Sequence, residues 1–165
     1  MICTASNKII FQIAAALFVF SCSESSSNLD ERGFKTLMNN IAKGWSTQNT
    51  ELALSSFDED AIYTEPPNIQ FYRGHDQLRP YFDALEARHK MEFHNLWFDE
   101  KSQTGAGEYT FSGGNDIADS GVVIVELKDG KIKFWREYQR KGPADFEEFI
   151  GIENKNWEWH IGNYP

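Results

Sequence analysis

Residues 57–82, FDEDAIYTEPPNIQFYRGHDQLRPYF, place one carboxylate, Glu65, at the end of a short apolar strand and directly before Pro66 and Pro67. The strand must stop there, because neither proline can donate to a sheet ladder. A carboxylate at such a stop faces either a cavity or the water at its mouth. A carboxyl group shut in an apolar cavity is disfavoured in its charged form, which suits it to give or take a proton near neutral pH. Tyr63 lies two residues earlier and so shares the face of Glu65. Its hydroxyl either orients a bound molecule or bonds backbone as part of a core ring.

A second carboxylate comes from residues 131–140, KIKFWREYQR. Strand alternation puts Trp135 and Glu137 on one face, Arg136 and Tyr138 on the other. Glu137 is then either a cavity partner opposite Glu65 or a structural acid bonded to Arg136, Arg140 or a helix end. His94 lies on a strand-like stretch, on the face opposite Phe93, as a cavity acid/base or an outward polar residue. Trp97, Tyr109, Phe111, Phe134 and Trp135 are rings that either grip a flat apolar ligand or fill a core. His75-Asp76 is either a metal or dyad fragment or the start of a helix with Asp76 as N-cap, and the N-cap is the favoured reading. No His/carboxylate spacing fits a metal site and no cofactor motif is present, so neither is expected.

The elements that must position these groups are legible from periodicity. Within residues 29–48, Phe34, Leu37, Met38, Ile41, Ala42 and Trp45 recur at the spacing of an amphipathic helix. A short helix is predicted over 50–57 with Thr50 as N-cap, a strand over 60–65, and a loop or short strand over 68–73. A third helix is predicted over 76–87, with Pro80 in its first turn. Strands follow at 91–98, 107–113, 120–128 and 131–140, the last two joined by the tight-turn pair Asp129-Gly130. Helices first and then a mostly antiparallel sheet is an α+β pattern, and curling the sheet round the helices buries both. The open end of such a curl is a common ligand pocket. A helical turn is predicted over 143–149. Beyond it, Trp157, Trp159, Ile161 and Tyr164 are too apolar for a free tail and are expected to pack on the sheet or cap the cavity mouth.

The N-terminus reads as an address. Lys8 precedes an apolar run over residues 9–20, too short for a permanent span of roughly 20 residues but fitted to a secretory signal. Val19-Phe20-Ser21-Cys22 then resembles a bacterial lipoprotein cleavage site. Residues 1–21 are thus expected to be a signal peptide, Cys22 the lipidated first residue, 22–29 a polar tether and 30–165 a single domain. Because Cys3 leaves with the signal and Cys22 carries lipid, thiol catalysis and cysteine zinc sites are excluded. The net charge of -9 and pI near 4.9 argue against nucleic acid, which needs a basic face. Membrane attachment would then rest on the lipid. An aromatic share of 15% in so small a domain points to a large core, an apolar pocket, or both.

The order of these pieces (the first helix with Trp45 near its end, FDEDAIYTEPP, YRGHDQLRPYF, and GVVIVELKDGKIKFWREY) resembles the nuclear transport factor 2-like superfamily, in particular its SnoaL-like branch. The resemblance covers most of residues 30–140. It implies a cystatin-like α+β barrel: a cone-shaped, curved antiparallel sheet wrapped around three N-terminal helices and enclosing a pocket. It also implies a homodimer through the outer sheet face. The fold serves isomerases, cyclases, epoxide hydrolases, dehydratases, carriers and non-catalytic partners alike, so it does not fix the function. In ketosteroid isomerase relatives the general base directly precedes a proline, a place that Glu65 matches. The two oxyanion donors of those enzymes fall on Ile41 and near Val123, which cannot donate. Loss of one such donor typically costs about 2.7–4 kcal/mol of transition-state stabilisation. Steroid isomerisation by that arrangement is therefore not expected.

The sequence thus leads to an envelope lipoprotein whose domain binds a small apolar or aromatic molecule. Catalytic candidates are Glu65, Glu137 and Tyr63, and ligand contacts are expected from Trp135, His94, Trp97, Tyr109, Phe111 and Trp45. The chemistry would be cofactor-free isomerisation, cyclisation, dehydration or hydrolysis, with a ligand carrier or a protein-interaction module as the alternatives. Replacing Cys22 by Ala is expected to release the protein from membranes; cell fractionation that leaves it membrane-bound would refute the lipid anchor.

Overall fold

In a computed structural model of the chain, residues 28–151 are described. The expected signal segment, Cys22, and the tail residues Trp157, Trp159, Ile161 and Tyr164 lie outside them. Helix α1 (Glu31–Ser46) starts where Asp30 caps it by accepting from the Gly33 backbone N–H at 2.7 Å. It buries Phe34, Leu37, Met38, Ile41, Ala42 and Trp45, the stripe read from the sequence. Helix α2 (Thr50–Leu54) is capped by Asn49, whose side chain accepts from Leu52 N–H. Thr50, the expected cap, is the first helical residue instead, and its hydroxyl bonds Asp83.

Strand β1 (Phe57–Glu65) ends in a 3-10 turn (Pro66–Asn68), and β2 (Gln70–Arg73) pairs back on it. Helix α3 (Gly74–Asp83) follows. It starts earlier than expected because Gly74, at φ 68, takes a backbone conformation that costs glycine little. Asp76 is consequently inside the first turn and caps nothing. Arg73 N–H is met by Gln77 Oε1 at 2.8 Å. For the same reason Pro80 is interior to the helix instead of in its first turn, and it is exposed.

Strands β3 (Lys90–Asp99), β4 (Thr104–Ser112), β5 (Ile117–Lys128) and β6 (Lys131–Pro143) are followed by the single turn α4 (Phe146–Ile150). Asp129 and Gly130 both have positive φ, as the predicted two-residue hairpin turn requires. The sheet runs β2-β1-β6-β5-β4-β3. It is mixed: β1 pairs with β6 in parallel, and every other pairing is antiparallel. The fold is α+β, with a curved six-stranded sheet and the helices against its inner face, as expected. One detail differs from the sequence reading, namely the parallel pairing of β1 with β6.

The core lies between α1 and the inner face, built from Phe34, Met38, Ile41, Leu54, Phe57, Leu78, Phe82, Val123, Val125 and Ile132. Gly105 lets α1 come close, because a Cβ there would sit 2.3 Å from the Phe34 ring. Between Phe93 and Asn95, β3 carries a bulge. One extra residue flips every following side chain to the other face.

Candidate functional site

The parallel pairing of β1 with β6 sets Tyr63 beside Trp135, their rings stacked 5.6 Å apart at 10°. One alternation further along each strand lie Glu65 and Glu137, only 2% and 4% exposed. Tyr63 is fully buried, and its hydroxyl bridges the pair, 2.8 Å from Glu65 Oε1 and 2.9 Å from Glu137 Oε2. Glu65 also accepts from Tyr81 OH on α3 (2.7 Å), Asn68 Nδ2 (2.8 Å) and Gln139 Nε2 (3.1 Å). Glu137 accepts from Trp135 Nε1 at 2.8 Å and bonds Tyr109 OH from β4. Two carboxyl groups thus share one wall, tied by tyrosines, amides and an indole and, among the described residues, by no Lys, Arg or His.

Local backbone features hold this arrangement. Pro66-Pro67 turn the chain so that Asn68 comes back to Glu65. Ile69 completes the turn at φ 56 and is 94% exposed. A β-branched residue in that left-handed region stores strain of order 1–3 kcal/mol, a feature that clusters at functional sites. On the sheet, Gly121 lies between Tyr109 and Gln139. Having no side chain, it leaves Tyr109 OH free to reach Gln139 Oε1 at 2.9 Å. A Cβ at Gly121 would meet Tyr138 O at 2.0 Å.

A hydrogen count constrains the protonation of the pair. The hydroxyls of Tyr63 and Tyr109 carry one hydrogen each, yet together they face four acceptors: Glu65 Oε1, both oxygens of Glu137 and Gln139 Oε1. Were both glutamates ionised, two of these four contacts would lack a hydrogen. A proton on Glu137 supplies one. Burial first, and then the negative charge of Glu65, push the Glu137 carboxyl up to about 7. Burial likewise raises the hydroxyls of Tyr63, Tyr81 and Tyr109, with the two carboxylates adding to the effect, so all three stay neutral donors.

The dyad lines a cavity of ≈ 160 Å³. Asn68, Gln70, Asp119 and Gln139 share its walls with the aromatic residues Trp45, Tyr81 and Phe111, and with Leu85. The lining is more polar than the apolar pocket expected from the sequence. Trp45 is 4% exposed, and its indole Nε1 has no hydrogen-bond partner.

Of the sequence candidates, the structure brings together Glu65, Glu137, Tyr63, Trp135, Tyr109, Phe111 and Trp45. It does not bring in Trp97, which the bulge in β3 turns to the outer face, 54% exposed. His94 is also on the outer side. It stacks on Phe146 with centroids 3.9 Å apart and bonds Thr110 Oγ1 through Nε2. Phe134 points outward because Trp135 points inward. Tyr81, Asn68 and Gln139 were missed. Gln139 continues the alternation of Trp135 and Glu137 and was legible in principle, whereas Tyr81 and Asn68 reach Glu65 only through the fold.

Among known proteins, the model of a family described as SnoaL-like domain matches residues 39–135. No curated protein matches the chain. Solved structures share its fold at low identity. A putative ketosteroid isomerase from Kribbella flavida is 16% identical over 72% of this chain and 87% of its own, with a TM-score of 0.59. An LEH-like epoxide hydrolase from M. tuberculosis is 15% identical over 66% and 84%, with a TM-score of 0.54. SalBIII, an epoxide hydrolase/cyclase-like enzyme with a role in pyran ring formation in the polyether salinomycin, is 18% identical over 69% and 98%, with a TM-score of 0.59.

The pH dependence of stability follows from Glu137. The native state keeps a proton that the unfolded chain releases above about 4.5. This contribution is whole below that pH and is lost as pH rises to about 7, amounting to roughly 3 kcal/mol. Thermal unfolding across this window is expected to show the native protein losing stability with rising pH relative to Glu137→Gln. Parallel curves would mean that Glu137 holds no extra proton.

Proposed function

This chain belongs to the SnoaL-like domain family, and from that premise we propose that its cavity is a proton-transfer site for a small neutral molecule, with Glu137 as the acid/base. The observation that carries this reading is the Tyr63 hydroxyl set between two buried carboxyl groups on a cavity wall. A carboxyl poised near 7 is matched to general acid–base work at neutral pH. Glu65 is the neighbouring carboxylate whose charge adds to the effect of burial on Glu137. Four donors occupy it, which leaves it less free to attack a substrate proton than its position before Pro66 suggests. Tyr63 couples the two groups, so that a proton taken up by Glu137 is felt at Glu65. Isomerisation, dehydration, cyclisation and hydrolysis each need such a transfer. The isomerase and epoxide hydrolase/cyclase neighbours agree with this range without selecting from it.

A second reading, a ligand carrier, is favoured by one observation: the oxygens of both glutamates already have partners within the protein. The sequence features of residues 1–29 support an exported lipoprotein anchored in the bacterial envelope through Cys22. The exposed outer-face rings of Trp97 and Tyr138 support a homodimer through that face. Mass spectrometry of natively isolated protein identifies the bound molecule, which is then supplied to native protein and to Glu137→Gln. Conversion by the native protein with an apparent pKa near 7, reduced about 10²-fold or more in the variant while binding persists, is the expected result. Release of an unaltered molecule by both proteins would establish the carrier.

A further inference from the structure

The indole N–H of Trp45 is the one buried side-chain polar atom among the described residues that has no hydrogen-bond partner. Its ring is held by other aromatic rings, with Phe82 5.3 Å, Trp135 5.8 Å, Phe111 6.2 Å and Tyr63 6.4 Å away between centroids. The first three offer no acceptor oxygen, and the Tyr63 hydroxyl is engaged between Glu65 and Glu137. Trp135 shows the ordinary solution in the same core, since its Nε1 donates to Glu137. A buried donor left unpaired is costly, and a phenylalanine would pack against the same rings without that cost. Trp45 also contributes to the cavity wall, together with Phe111, Asp119 and Glu137, while its Nε1 is itself buried, so that an oxygen in the cavity reaches it on a shift of the surrounding side chains.

We propose that Trp45 is a ligand-positioning residue whose N–H donates to an acceptor oxygen on the molecule bound in the cavity. The proposal rests on the reading of the cavity as a ligand site and specifies what enters it. Glu65, Glu137 and Asp119 line the cavity, and among the described residues no Lys, Arg or His does. Carboxylate or phosphate ligands are therefore repelled, and the acceptor belongs to a neutral group such as a carbonyl or ether oxygen. A volume of ≈ 160 Å³ is close to that of an engineered cavity that admits benzene, so one ring or its equivalent fits. With its oxygen at Trp45, the molecule lies on the same wall as the Glu137 carboxyl. Negative charge gathering on that oxygen as a neighbouring carbon loses a proton would strengthen the Trp45 bond.

Cyclohexanone and methylenecyclohexane are probes of nearly equal shape, of which only the first carries the acceptor. Titration of the full protein is followed in ¹H–¹⁵N spectra through the indole signal that Trp45→Phe removes. Cyclohexanone is expected to shift that signal downfield and to bind native protein about tenfold more tightly than it binds Trp45→Phe. Methylenecyclohexane is expected to bind both proteins alike and to leave the N–H shift without the downfield change. Equal effects of the two probes on the indole signal would overturn the donor role while leaving the cavity a ligand site, and this readout does not need a folded variant. Failure of both probes to bind would overturn the ligand-site reading and the proposal with it.

Discussion

Two carboxyl groups buried side by side cannot both be charged without strong opposing charge, and the described residues of this wall supply none. The fold meets that constraint with hydroxyl and amide donors on Glu65 and with a retained proton on Glu137. Every element of the site can be understood from this requirement. The tyrosines at 63, 81 and 109 are neutral donors that stay neutral because burial beside carboxylates raises them. Gln139 works at both ends, donating an amide hydrogen to Glu65 and accepting from the Tyr109 hydroxyl. Trp135 fills core volume and caps a Glu137 oxygen at once.

The architecture delivers these groups from distant parts of the chain. The parallel β1–β6 pairing brings 63 and 65 against 135 and 137, and the antiparallel steps through β5 bring 109 within reach. Helix α3 then lays Tyr81 over Glu65, its ring stacked on Tyr72 at 4.5 Å. Helix α1 closes the other side with Trp45. The neighbours at 15–18% identity share this frame, which shows the fold and leaves the chemistry to the residues on the wall.

Much of this was legible in the sequence. The apolar stripe of α1, the Asp129-Gly130 turn, and the shared faces of Tyr63 with Glu65 and of Trp135 with Glu137 follow from periods of 3.6 and 2. The resemblance added the curved sheet that sets the two pairs on one wall. What could not be read were features created by pairing. The bulge at His94 leaves no mark in composition, and it sends Trp97 outward against simple alternation. The partners of Glu65 from the turn and from α3 depend on where Ile69 and Gly74 bend the backbone. The cap of α2 moved by one residue because Asn49 competed with Thr50, and α3 has no side-chain cap where Asp76 was expected to be one.

The central claim is that Glu137 keeps a proton to near neutral pH because it is buried beside the charge of Glu65. Titration of the Glu137 side-chain carboxyl carbon by ¹³C NMR, in the native protein and in Glu65→Gln, tests this most directly. The account predicts a midpoint near 7 that falls clearly when the neighbouring charge is removed. A midpoint in the ordinary carboxylate range near 4.3, or one indifferent to Glu65→Gln, would contradict it.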